Sequence, residues 1–292
     1  MLSEKRGAGG KGVQNKEMEA NEYKMIQSFL SQSCGIVLGD SKQYLVKNRL
    51  AGLLQTFDLA SFAELAVALQ AKSAAYTKIK NAVVDAMTTN ETFWFRDDMQ
   101  FSELKDRVFP EIFEKKLGTI KVWSAACSSG QEPYTISMCA EDANKKMGQT
   151  RNVQIIGTDI SETILLEAKD AVYTEMALAR GLDSETKKRF FQKTHGGYKL
   201  NNEITRKVRF QQFNLLKPFS VLGRFDIIFC RNVLIYFSDE VKRDILSRME
   251  SSLEPGGYIF LSSTESMPVS VKGLEAVRGR RVHYFKKRLC HR

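Results

Sequence analysis

From residue 118 onward, short runs rich in β-branched and aromatic residues alternate with stretches of helical spacing, and this alternation limits the possible folds most sharply. The runs fall at 120–125, 153–157, 208–212, 225–230, 258–262 and 282–285. Helices are expected at about 133–147, 161–170, 239–253 and over part of 174–191. Strands separated by helices cannot pair as tight hairpins, so most should lie parallel in one open, twisted sheet with helices on both faces. In such doubly wound sheets the ligand lies beyond the carboxyl ends of the strands. That rule gathers residues 127–133, Thr158-Asp159 and Arg231-Asn232 around one crevice.

The segment before residue 89 follows a different period. Tyr23, Ile26, Phe29 and Leu30, then Tyr44, Leu45, Leu50, Leu53 and Leu54, then Phe62, Leu65, Ala66 and Leu69 fall at helical spacing. Gly35, Gly39, Gly52 and Asp40-Ser41 interrupt the pattern in the manner of helix ends and a following N-cap. A further helix over about 97–116, kinked at Pro110, should lead into the sheet. Close turn signals at Gly196-Gly197 and Asn201-Asn202 predict a small antiparallel hairpin or three-stranded insert near 190–210. The expected plan is a flexible tail over 1–20, a small all-α domain over 21–88 and an α/β domain over 89–292 that carries the insert.

Composition narrows the class. A chain of 292 residues that is 43% hydrophobic can bury a substantial core. Its apolar runs are short and interrupted by charge, and the Gly- and Lys-rich start lacks the apolar core of a signal peptide, so a cytoplasmic protein is expected. The five cysteines form no C-x-x-C pair and read as reduced thiols; the three histidines show no zinc-binding spacing, so no metal is expected. The net charge of +10 concentrates in 187–209, with eight Lys/Arg against Glu203, and in 278–292, with seven and no acid. Such clusters attract an acidic partner or form a solvated face. Monomer is the default state.

In the crevice, Gly130 permits close backbone approach, and Pro133 suits a first helical position. The loop Cys127-Ser128-Ser129-Gly130 is neither G-x-G-x-x-G nor a lysine-bearing phosphate loop, which disfavours dinucleotides and nucleoside triphosphates. Glu132 is either a first-turn carboxylate favoured by the helix dipole or a neighbour of a cationic ligand. Asp159, after the second strand, either caps the next helix or receives the two hydroxyls of a ribose. A phosphate-poor loop with a ribose-binding acid points to S-adenosylmethionine. Asn214 and Arg231-Asn232 either bond its adenine or amino-acid moiety or serve as turn residues. Phe93-Trp94-Phe95 should pack between the helical segment and the sheet, while Arg96 must find solvent or a partner.

Residues 89–96 (TNETFWFR), 129–134 (SGQEPY), 157–160 (GTDI), 213–216 (FNLL) and 225–237 (FDIIFCRNVLIYF) together resemble the CheR-type chemotaxis receptor methyltransferases. Residues 253–258 (LEPGGY) and 263–266 (STES) extend the resemblance, which covers about 20–287. It implies a Rossmann-like methyltransferase domain that transfers the methyl group of S-adenosylmethionine to glutamate carboxylates on chemoreceptor cytoplasmic helices, with S-adenosylhomocysteine as product. By position, Asn90, Thr92, Arg96, Glu132, Asp159, Asn214, Leu215, Arg231 and Asn232 would line the cofactor site, and Arg96 and Tyr236 would face the reacting groups. In some members a β-subdomain grips a receptor's C-terminal peptide by strand addition. Residues 192–210 are short for that role, so direct contact of the basic insert and the N-terminal helices with acidic receptor helices is expected.

Two other classes fit the sequence less well. Methylation of a nucleic-acid amine typically uses an Asn/Asp-Pro-Pro-aromatic loop, and C5 methylation uses a Pro-Cys nucleophile. None of Pro110, Pro133, Pro218, Pro255 and Pro268 adjoins another proline or precedes a cysteine, so no nucleic-acid partner is expected. A regulatory module that keeps the cofactor fold without turnover would be expected to have lost one of Arg96, Asp159 and Tyr236.

Overall fold

The computed structural model describes residues 17–279 and 282–289. The Gly/Lys tail over 1–16, Arg280, Arg281, Cys290, His291 and Arg292 lie outside the described residues. The chain divides into two compact units: the described residues up to Phe29 with Leu38–Ala86, and Leu30–Val37 with Met87 onward.

The first unit is helical. Helix α1 (Ala20–Cys34) has its last turn in the second unit, and α2 (Gln43–Thr56), α3 (Phe62–Gln70) and α4 (Thr77–Met87) follow. Tyr23 and Ile26 are buried as their spacing predicts, but α2 buries Val46, Leu50 and Leu54 while Tyr44 is 61% exposed. The i, i+4, i+8 stripe starts two residues later than the largest apolar side chain implied, because Tyr44 can keep its hydroxyl in water. Asp40-Ser41 is not an N-cap: Asp40–Lys42 forms a 3-10 turn with no side-chain cap bond. Ser61 caps α3 by accepting from the Glu64 N–H at 3.3 Å.

In the second unit, α5 (Asp98–Glu103) runs into a π-helical turn (Leu104–Val108) and then α6 (Phe109–Lys115). The irregularity expected at Pro110 therefore lies one turn upstream of it, where the wider turn accommodates the missing proline N–H. The sheet then forms from β1 (Ile120–Ala125), β2 (Val153–Asp159), β6 (Val208–Gln212), β7 (Phe225–Cys230) and β8 (Leu253–Leu261), all parallel, in the order β6-β2-β1-β7-β8. The helices α7 (Gln131–Met147), α8 (Glu162–Asp170) and α12 (Asp239–Ser252) connect these strands. Strand β10 (His283–Lys287) pairs antiparallel with β8, and β9 (Leu274–Arg278), not foreseen, closes the edge.

Alternating residues of β1 separate the two layers of core. Ile120 and Val122 join Phe101, Phe109 and Ile136 on one face, while Trp123 and Ala125 join Phe219, Ile245 and Met249 on the other. The insert is a three-stranded antiparallel sheet in the order β3-β5-β4, from β3 (Val172–Tyr173), β4 (Phe191–Thr194) and β5 (Gly197–Leu200). Its third strand comes from upstream of the expected span. Short helices α9 (Glu175–Ala179) and α10 (Ser184–Phe190) lie between β3 and β4, and α11 (Asn202–Thr205) leads to β6.

Candidate active site

A cleft of about 1030 Å³, including space open to solvent, lies where the carboxyl ends of β1, β2 and β7 meet. Asn90, Thr92, Arg96, Glu132, Asp159, Asn214, Leu215, Arg231, Asn232 and Tyr236 all line it. The loops around it hold non-glycine residues in the left-handed region: Phe95 (φ 50°), Asp97 (59°), Ala126 (56°), Ser128 (51°) and Asn232 (58°). Backbone of this kind persists only where surrounding bonds over-determine it, and those bonds are present.

The β1–α7 loop is tied to β2 by the Cys127 N–H on the Thr158 carbonyl at 2.9 Å. Asp159, only 6% exposed, accepts from the Ser128 N–H at 2.9 Å and the Ser161 N–H at 3.1 Å. It is not a helix cap, because Ser161 caps α8. The two backbone bonds set the plane of its carboxylate at the cleft wall. Gly130 (φ 93°) makes the turn into α7, which starts at Gln131, so Pro133 is the third rather than the first helical residue. Its lacking N–H still falls among the four that a helix start leaves unpaired.

The buried Arg231 and the half-buried Glu132 form the centre of the site. Glu132 accepts from Ser124 Oγ at 2.7 Å and from Arg231 Nη1 at 2.9 Å. Arg231 Nη2 reaches Asp97 Oδ2 at 2.8 Å and the Arg96 carbonyl. The Arg231 side chain is 2% exposed, so its charge needs both acids. Arg231 therefore anchors the backbone of Arg96 as well as lining the cleft. Ser128 Oγ donates to the Asn90 carbonyl at 2.9 Å and fixes the start of the same segment.

The aromatic run divides rather than packing as one unit. Trp94 is fully buried against Tyr173 and Phe191, with ring centroids 4.9 and 5.2 Å away, and so belongs to the insert's core. Phe95 meets Phe101 of α5 edge-on at 5.8 Å, and Phe93 lines the cleft. Arg96, half-buried, donates to the Glu91 carbonyl at 3.0 Å. Asn214 uses its amide to brace the wall, donating to the Ser33 carbonyl at 2.7 Å and accepting from the Leu216 N–H at 2.9 Å.

Tyr236 ends a 3-10 turn (Leu234–Tyr236), half-buried at the cleft. The anchor of this turn went unread in the sequence. Glu265 accepts four backbone N–H bonds, from Asn232 (3.0 Å), Val233 (3.0 Å), Leu234 (2.8 Å) and Ser262 (3.1 Å). The signal available was the STES stretch itself, a lone acid among hydroxyl residues. Asp97 and Ser124 were likewise missed, each being ordinary in its local context.

Burial pushes the Cys34 thiol at the cleft wall up to about 11, and burial followed by the charges of Asp159 and Glu132 raises that of Cys127 well above its ordinary value. Neither is a thiolate near neutral pH. Among the described residues no group of three or more His, Cys, Asp or Glu could hold a metal, and no helix is long and apolar enough to cross a membrane. In the basic stretch 187–209, Lys187, Arg189 and Lys207 are paired with Glu175, Asp142 and Glu141, while Lys188, Lys193, Arg206 and Arg209 are exposed.

Residues 90–283 match the family described as CheR methyltransferase, SAM binding domain, and residues 21–88 match CheR methyltransferase, all-alpha domain. The chemotaxis protein methyltransferase Cher2 of Pseudomonas putida is 46% identical over 250 residues, covering 84% of this chain and 90% of that protein. The chemotaxis protein methyltransferase of Vibrio parahaemolyticus is 46% identical over 259 residues, covering 88% and 93%.

Proposed function

The chain belongs to the CheR methyltransferase family and is an S-adenosylmethionine-dependent methyltransferase; from that premise we propose that it esterifies glutamate carboxylates on the cytoplasmic helices of chemoreceptors, in the cytoplasm and without a metal. The observation that carries this reading is the cleft itself: a buried acid at the end of β2, the buried Arg231 paired with the half-buried Glu132, and Arg96 and Tyr236 on its wall.

S-adenosylmethionine, when bound, supplies a methyl group activated by the sulfonium sulfur. Asp159 fits the ribose hydroxyls, because a carboxylate only accepts and each hydroxyl donates. The acids of the lining, Glu91, Glu132 and Asp159, suit a cationic ligand. An acceptor glutamate is already ionised near neutral pH and needs no general base. The task left to the protein is alignment in a partly dehydrated pocket. Arg96, backbone-anchored through Arg231, orients the carboxylate with its guanidinium, and the Tyr236 hydroxyl donates to the second oxygen. The raised thiol pKa values of Cys34 and Cys127 disfavour a cysteine nucleophile.

The assignment is tested with Arg96→Ala and Tyr236→Phe, assayed for labelled methyl transfer to a chemoreceptor cytoplasmic fragment and for S-adenosylhomocysteine binding by calorimetry. Each variant should keep affinity for the product within about threefold and lose roughly 10- to 100-fold in kcat, about 1.4 to 2.7 kcal/mol of transition-state stabilisation. Unchanged turnover in both would remove these residues from the reaction.

A further inference from the structure

Two guanidinium groups, Arg96 of the cleft lining and Arg180 outside it, approach the ring of the cleft-lining Phe93. Arg96 Cζ lies 5.4 Å and Arg180 Cζ 5.1 Å from the centroid of Phe93. Glu91 serves both cations: its carboxylate accepts from Arg180 Nη2 at 2.6 Å, and its backbone carbonyl accepts from Arg96 Nη1 at 3.0 Å. The Arg180 and Glu91 side chains are 50% and 56% exposed, so water and an incoming ion both reach the pair. Exposed pairs of this kind are weak and readily exchanged. The Glu91 carboxyl is held below its ordinary range, first by its bond to Arg180 and that residue's charge and further by Arg96.

Arg180 does not owe its place to this ion pair. The Trp94 N–H donates to the Arg180 carbonyl at 3.2 Å. Gly181, at φ 93°, sits so close that a Cβ there would come within 1.8 Å of the Trp94 carbonyl oxygen. Trp94 is in turn fully buried against the insert. Backbone and core thus fix the Arg180 main chain beside Trp94 whether or not Glu91 is charged, and the Phe93 ring gives the guanidinium a contact besides Glu91.

We propose that Arg180 is a second recognition residue for the methyl-accepting helix, with Glu91 as an internal stand-in that a substrate carboxylate displaces. The inference rests on the acceptor reading above and extends it to substrate choice. The acceptor glutamate goes to Arg96 and Tyr236, and a second acid one helical turn away, about 5.4 Å along the axis, goes to Arg180. The preferred substrate is then a helix with carboxylates at i and i+3 or i+4 around the methylation site.

The test is steady-state methylation of a chemoreceptor cytoplasmic fragment by the full-length wild type, Arg180→Ala, Glu91→Gln and the double variant. Arg180→Ala should raise KM for the fragment about fivefold or more, with kcat and S-adenosylhomocysteine affinity little changed. Glu91→Gln should lower KM by about two- to fivefold, because it removes the competing carboxylate, and this gain should vanish in the Arg180→Ala background. A purely structural pair would instead make both single variants worse. An unchanged or raised KM for Glu91→Gln, or a gain that persists without Arg180, overturns the proposal while leaving the acceptor reading intact. Failure of the wild type to methylate the fragment overturns both.

Discussion

At the scale of single residues, the cleft separates side chains that present chemistry from those that hold the presenters. Asp159 and Arg231 both line it, but their surroundings differ. Asp159 is bonded to two backbone N–H groups, whereas Arg231 neutralises Glu132 and Asp97 at 2% side-chain exposure. Asp159→Ala should therefore cost mainly affinity, about 10- to 100-fold for S-adenosylhomocysteine, by the loss of charge-assisted hydrogen bonds. Arg231→Ala should cost mainly stability, about 3 kcal/mol or more, because two acids lose their buried counter-ion. Calorimetry and urea unfolding on both variants check the contrast, and equal stability losses would contradict it. Residue types and strand ends were legible in the sequence here. The partnerships were not, since Arg231 and Asp97 lie 134 residues apart and nothing local marks the pairing.

At the scale of elements, the sequence was most readable where period and burial coincide. The bounds 120–125, 208–212 and 225–230 agree with β1, β6 and β7 because each run is β-rich and closed by a change of pattern. It was least readable where an element is too short to have a period, as with the two residues of β3, or faces water, as with β9, in which only Leu274 is buried. The π turn before Pro110 is another case, because an i→i+5 bond leaves no compositional mark. Beyond that turn, Glu111 on α6 binds three elements together. It takes Lys115 at 2.8 Å, Lys286 of β10 at 2.6 Å and Tyr258 of β8 at 2.5 Å. Burial alone would raise its carboxyl, but the bonds from Lys115, Lys286 and Tyr258 outweigh it and hold the pKa down at about 2. A depressed carboxyl stabilises the fold above its unfolded pKa, about 4.3, and loses that contribution as pH falls through the folded value. Urea midpoints should thus separate wild type from Glu111→Gln at pH 6 and converge between about pH 4 and 2. A gap that stays constant over that range would remove the ion-pair explanation.

At the scale of the whole molecule, the chain joins a helical unit to a mostly parallel α/β unit, each with its own buried side chains. The start of the sheet within the second unit was visible in the change of period near residue 118, and the change carries a physical reason: only the parallel sheet offers convergent strand ends for a cofactor. The net charge of +10 fits an acidic partner, although part of the basic stretch 187–209 is spent on Glu141, Asp142 and Glu175 within the fold. The four described cysteines are buried and form no disulfide. The proposed product is a carboxyl methyl ester. The most direct measurement is transfer of a radiolabelled methyl group from S-adenosylmethionine to a chemoreceptor cytoplasmic fragment, followed by mild alkali. Release of the label as volatile methanol, abolished when the receptor's acceptor glutamates are replaced by alanine, is the predicted result. Label on the receptor that withstands alkali would contradict the claim, because amine and thioether methylations survive where an ester does not.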